Sequence, residues 1–116
     1  NFFDADLSGR AGGDVRLRLA DGTEIVAPEG PSALADARVT LGIRPEHIEF
    51  GDGLAEDNRV NGTVQVVERL GCDTLLHIDL SGNPMVMRQP RDLPDIRAGE
   101  RVTCRFPADA CHVFAG

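Results

Sequence analysis

The sequence contains no lysine, no tryptophan and no tyrosine. Without lysine there can be no phosphate-binding loop of the Gly-Lys-Ser/Thr kind and no Schiff-base chemistry in this chain. With five phenylalanines as its only aromatics (Phe2, Phe3, Phe50, Phe106 and Phe114), the core must be built from valine, leucine and isoleucine. The same scarcity removes the stacking platforms that single-strand nucleic-acid binders need. Acidic residues outnumber arginines 19 to 12, a net charge of −7. That balance disfavours a grip on phosphate backbones or on an anionic membrane surface, so no nucleic-acid partner is expected. Cys72, Cys104 and Cys111 are odd in number and not tightly spaced, which reads as free thiols in a reducing compartment. No apolar run approaches the roughly 18 residues of a membrane span, and no signal-peptide pattern is present, so direct membrane insertion is not expected.

What is there is mostly alternation of period two. A chain of 116 residues suits one domain. Asn1–Leu7 reads as a first strand, followed by a flexible turn over 8–13 with three glycines. Val15, Leu17 and Leu19 alternate with Arg16 and Arg18, and Asp21-Gly22 folds the chain back along Thr23–Ala27, a hairpin pattern. Residues 28–37 form a loop with room for one helical turn at 33–37. Val39, Leu41 and Ile43 then alternate with Thr40, Gly42 and Arg44 until Pro45, which has no N–H for a ladder and disfavours helix at Arg44, turns the chain. Ile48 and Phe50 resume the pattern. After an acidic loop at 51–59, Val60, Gly62, Val64 and Val66 share a phase that Val67 breaks, which predicts a bulge or a strand end buried on both faces. Further strands are expected at 74–80, 85–89, 101–106 and 111–114, with a loop at 90–98. No helical period and no internal repeat of fixed period are visible. The prediction is an all-β, OB-like Greek-key barrel of short antiparallel strands with long loops, a single domain over 1–116. Because the chain opens on Asn1 in mid-strand, it reads as part of a longer protein.

No catalytic set emerges. His47, His77 and His112 are scattered, the acids cluster in loops, and Cys104, Cys111 and His112, with or without Cys72, lack the compact spacing of zinc sites. Cys104 lies in an apolar phase and reads as a core residue, and His77 as an exposed or hydrogen-bonded sheet histidine. Arg16, Arg18, Arg101 and Arg105 could make an anion-binding surface or cross-strand pairs with carboxylates, and 19 acids in the chain favour the pairs. The Pro45 corner projects Arg44, Glu46 and His47 outward from two anchored strands. On chemistry alone that is either a solvated turn or a contact point for another domain.

The residues Thr40-Leu41-Gly42-Ile43-Arg44-Pro45-Glu46-His47 resemble the "LGIRPEH" signature of the TOBE domain, found at the C-terminal end of ATPase subunits of bacterial sugar ABC importers of the maltose and glycerol-3-phosphate type. Gly62–Thr74 resembles the family's "G-x-V-x-x-V-E-x-L-G-x-[DE]-T" segment, Arg97–Val102 its "x-x-G-x-x-V", and His112-Val113-Phe114 its closing "H-x-F". Asn1-Phe2 resembles the Asn-Phe that follows the ATPase core. Ala115 stands where the family commonly has Asp, and no ATPase domain is present. The resemblance implies a regulatory and dimerising module without catalysis of its own. Its contacts would be made by Arg44, Glu46, His47, Glu68 and Arg69. It would carry no cofactor or metal, ATP and Mg belonging to an ATPase domain upstream. Implied partners are a second copy of the ATPase subunit, permease subunits reached through that ATPase domain, and a regulatory protein. The implied location is cytoplasmic, peripheral to the inner membrane. The alternative is a small-ligand barrel for oxyanions such as molybdate, because Asn58–Val64 superficially resembles the Arg-Asn and Gly-x-Val of molybdate-importer barrels, with the order reversed.

Overall fold

Alternating side chains give the chain ten strands among the residues described by this computed structural model, which are 1–29, 37–51, 57–90 and 95–115. They are β1 (Phe2–Ala11), β2 (Asp14–Leu19), β3 (Glu24–Pro28), β4 (Arg38–Gly42), β5 (Glu49–Phe50), β6 (Arg59–Leu70), β7 (Asp73–Leu80), β8 (Asn83–Pro90), β9 (Arg101–Arg105) and β10 (His112–Ala115). Single 3-10 turns lie at Pro45–His47 and Ala108–Ala110. All pairings are antiparallel, in two five-stranded sheets of order β10-β4-β1-β2-β3 and β5-β9-β6-β7-β8. The expected all-β, OB-like architecture is present, and it is present twice. The helical turn expected at 33–37 lies almost wholly outside the described residues.

The first strand is longer than its sequence predicted. Rather than turning at Ser8, β1 continues to Ala11 through a bulge, where the register passes from Leu7 opposite Leu17 to Gly9 opposite Arg16. Only Gly12 and Gly13, with φ of 59° and 89°, make the turn, a two-residue loop whose twist suits a hairpin. The bulge expected in the sixth strand sits between Val64 and Val66. These two bulges are counterparts. Each half of the chain runs as a bulged strand, two hairpin partners, a fourth strand, a 3-10 turn and a short fifth strand. The fifth strands are exchanged, β5 pairing with β9 and β10 with β4. Val39-Thr40 after Arg38 and Val102-Thr103 after Arg101 are the matching starts of the fourth strands. The repeat has no fixed period because the turns between equivalent strands differ in length, which is why the sequence alone did not display it.

The exchange joins the halves into one core. Leu17, Ile25 and Leu41 from the first sheet and Leu76, Ile78 and Met85 from the second belong to one buried cluster. Phe3 stacks on Phe106 with ring centroids 5.8 Å apart. Two asparagines tie each sheet to the other. Asn58, 4% exposed and held at φ 54°, accepts from the Val26 N–H at 2.8 Å and donates to the Val26 and Phe106 carbonyls at 2.8 and 2.9 Å. Asn1, its counterpart, accepts from the Val86 N–H at 2.8 Å and donates to the Val86 and Ile43 carbonyls at 2.8 and 3.2 Å. In this way each amide supplies the hydrogen bonds that an edge strand would otherwise lack. On the outer face of the first sheet, Arg38, Asp6, Arg18 and Glu24 stand opposite one another across four strands, the cross-strand charge pairing expected for Arg18.

Candidate interaction site

The Pro45 corner is rigid at its base and open at its tip. Ile43 and Ile48 are buried on either side of it. The Ile43 N–H donates to the Asn1 carbonyl at 3.0 Å, and Gln89 Nε2 donates to the Ile48 carbonyl at 2.7 Å. Arg44 is extended, with φ −75° and ψ 145°, as the residue before a proline must be, and its carbonyl accepts from the His47 N–H at 3.0 Å to close the turn. The side chains of Arg44, Glu46 and His47 are exposed, and none has an ion-pair or hydrogen-bond partner among the described residues. The geometry is a fixed pedestal presenting two basic groups and one carboxylate.

Glu68 and Arg69 occupy the end of the β6–β7 hairpin at the same end of the second sheet. Arg69 faces Thr74, and Thr74 faces Gln89, the residue that clamps the corner. Glu68 meets the His77 imidazole, which answers the sequence question about His77: it is a half-exposed, hydrogen-bonded sheet histidine. Arg88 and Asp73 pair nearby at 2.9 Å. Val66 and Leu70 are about half exposed beside them, so the hairpin end mixes apolar and charged groups. The five predicted contact residues therefore approach one end of the molecule, although the corner and the hairpin are separated by the width of β7 and β8.

The remaining candidates are structural. Arg105 reaches Asp57 at 3.1 Å and Glu49 at 3.4 Å, and the hydrogen bond to Asp57, with the charges of both carboxylates, pushes the guanidinium pKa further up against the opposing cost of desolvation. Arg101 donates to the Thr63 hydroxyl at 3.2 Å rather than to a carboxylate. Cys104 is fully buried, as its phase predicted, and burial pushes its thiol up to about 12. Cys111 is also buried and pushed up to about 11, chiefly by the same desolvation. Cys72 is exposed in the β6–β7 turn.

Two features escaped the sequence reading. The asparagine clamps gave no signal, since nothing in one sequence marks an asparagine as bridging two sheets. The second is an aromatic pair, Phe2 and Phe114, exposed by 74% and 50% with ring centroids 6.3 Å apart. The signal that could have found the pair is that Phe2 and Phe114 are each an apolar residue on the polar phase of its strand.

A family model described as a TOBE domain matches residues 41–114, and one described as a MalK OB fold domain matches residues 1–48. The chain belongs to the TOBE domain family. Among curated proteins, this TOBE chain is 34% identical over 120 residues to a maltose/maltodextrin import ATP-binding protein of Vibrio cholerae, with 98% of the chain and 31% of that protein covered. It is 37% identical over 120 residues to a spermidine/putrescine import ATP-binding protein of Ruegeria pomeroyi, with the same coverage. The chain thus spans about a third of the length of these relatives. A crystal structure of the cytoplasmic molybdate-binding protein ModG, with molybdate bound, superposes with a TM-score of 0.87 at 17% identity, covering 100% of this chain and 96% of that one. At that identity the likeness is one of fold.

Proposed function

We propose that this TOBE chain is the non-catalytic regulatory and dimerising domain of the ATP-binding subunit of a bacterial sugar ABC importer. One observation carries the reading: relatives along 98% of the chain are import ATP-binding proteins, while the chain accounts for only 31% of their length. A lysine-free sequence cannot supply a Walker-type loop, so nucleotide and Mg would be held by an ATPase domain preceding Asn1. The domain would act by coupling. Holding two subunits together at one end raises the effective concentration of their ATPase domains for each other while the nucleotide sites open and close. The rigid Pro45 corner and the Glu68–Arg69 hairpin end would carry polar contacts to the second copy. Permease subunits would be reached through the ATPase domain, in the cytoplasm against the inner membrane. No helix among the described residues is long and apolar enough to cross a membrane.

Relatives named for maltose and for polyamine import match equally long stretches, which supports a domain that leaves the choice of cargo to other subunits. Phosphate release with ATP and Mg tests the division of labour. The 116-residue chain should give none, and the longer subunit should turn over; release by the chain alone would overturn the reading. Calorimetric titration with molybdate tests the oxyanion alternative, for which the ModG likeness supplies the fold and nothing more. Saturable heat would favour it.

A further inference from the structure

We infer that the groove between the Phe2–Phe114 pair and the Pro45 turn receives an acidic, apolar peptide segment of a protein partner. The two rings stand over Gly42, where an added Cβ would lie 3.1 Å from each, and together with Arg44, Pro45 and His112 they wall a groove of about 340 Å³. No aspartate or glutamate lines it, although acids outnumber arginines 19 to 12 in the chain. Arg44 and His112 are exposed at its rim with no ion-pair partner among the described residues. The groove is thus a locally basic, aromatic site on an acidic molecule, complementary in charge to carboxylates and in polarity to an apolar side chain.

The second half of the chain provides an internal control. Its counterparts of Phe2, Gly42 and Phe114 are Arg59, Arg105 and Gly51, and Arg105 is held there by the chain's own Asp57 and Glu49. The same strand exchange forms without an aromatic pair, so the fold does not require one. In the second half the cation already has its carboxylates, whereas Arg44 and His112 in the first half do not. An extended segment would lay an apolar side chain on the two rings and Pro45 and direct its carboxylates to Arg44 and His112. This inference stands on the groove and gives Arg44 to the peptide, leaving Glu46, His47, Glu68 and Arg69 for the contacts proposed with a second copy.

The test is titration of the 116-residue chain with the capped peptide Asp-Asp-Leu-Phe-Asp-Asp and with its lysine-for-aspartate counterpart, followed by backbone amide shifts. The acidic peptide should move the Gly42, Arg44 and His112 amides saturably, less so at high salt, and the basic one should not. Phe114→Ala and Arg44→Glu should each weaken binding about tenfold or more. Arg97→Glu, in an exposed loop, should not. Should Phe114→Ala lose its dispersed spectrum, Arg44→Glu, whose side chain is in solvent, still decides. Equal response to both peptides, no response, or shifts elsewhere would overturn the inference. So would concentration-dependent shifts at these amides without peptide, which would assign the groove to a second copy. Loss of binding in the longer subunit would assign it to an internal segment and equally overturn it.

Discussion

Replacing Asn58 by alanine removes three hydrogen bonds at the junction of the two sheets. The Phe106 carbonyl lies in a buried bond, and leaving it unsatisfied costs about 1–3 kcal/mol. The Val26 N–H and carbonyl are partly buried and can recover some solvation, so about 0.5–1 kcal/mol each is appropriate. Alanine at φ 54° adds about 1 kcal/mol of backbone cost. The sum is about 3–6 kcal/mol. With an unfolding entropy of about 2.1 cal/mol/K per residue over 116 residues, the melting temperature should fall by about 12–25 °C. Asn58→Gly, free of the backbone cost, should recover about 1 kcal/mol of this. Asn58→Asp keeps the acceptor for Val26 N–H but turns an oxygen towards two carbonyls. Its carboxyl pKa should therefore be raised in the folded state, and stability should be lost as pH rises through that value. Urea unfolding followed by far-UV circular dichroism measures all three. A loss under about 1 kcal/mol for Asn58→Ala, unaltered in Asn58→Gly, would refute the claim that this side chain fastens the sheets.

Gly62→Ala should be severe, at about 2–3 kcal/mol or more, because its Cβ would lie 2.4 Å from Ile78 Cγ2 and 2.9 Å from the Asp79 carbonyl; Gly42→Ala, which meets only two exposed rings at 3.1 Å, should cost less than about 1 kcal/mol in the same urea assay. Ellman's reagent should react rapidly with one thiol of the native chain, Cys72, and with three after unfolding. Cys104 and Cys111 hold their protons to about 12 and 11 when folded, against 9.0 unfolded, so their contribution to stability should be level below pH 9. It should then fall by about 1.4 kcal/mol per pH unit for each thiol that has ionised only in the unfolded chain, and Cys104→Val should halve that slope. The Arg105–Asp57 pair is mostly at the surface, and a double-mutant cycle should give a coupling below about 1 kcal/mol.

The strands were legible because half-buried sheets write their pattern into the sequence. Val15, Leu17 and Leu19 are buried and Arg16 and Arg18 exposed, as alternation required. The first strand was cut short because Ser8 and Gly9 carry turn chemistry, and only pairing with Arg16 shows that they form a bulge. The duplication was hidden for a different reason: turns of unequal length break its period and few residue identities are shared between the halves, Phe2 taking the place that Arg59 has in the second half and Gly42 that of Arg105. The repeated Arg-Val-Thr at 38–40 and 101–103 and the asparagines at 1 and 58 were its local traces. The exposed corner at Arg44, Glu46 and His47 was legible from Pro45 and the flanking isoleucines. Its position at the same end of the second sheet as Glu68 and Arg69 was not, since that depends on Gln89 bridging from β8 to Ile48.

The proposed role rests on contact rather than chemistry, and sedimentation of the longer ATP-binding subunit tests it most directly. With Glu46→Ala, His47→Ala and Glu68→Ala combined, the dimer should dissociate at protein concentrations where the parent remains paired, while ATP turnover per assembled dimer is retained. An unchanged dimer, or an assembled dimer that has lost turnover, would contradict the account.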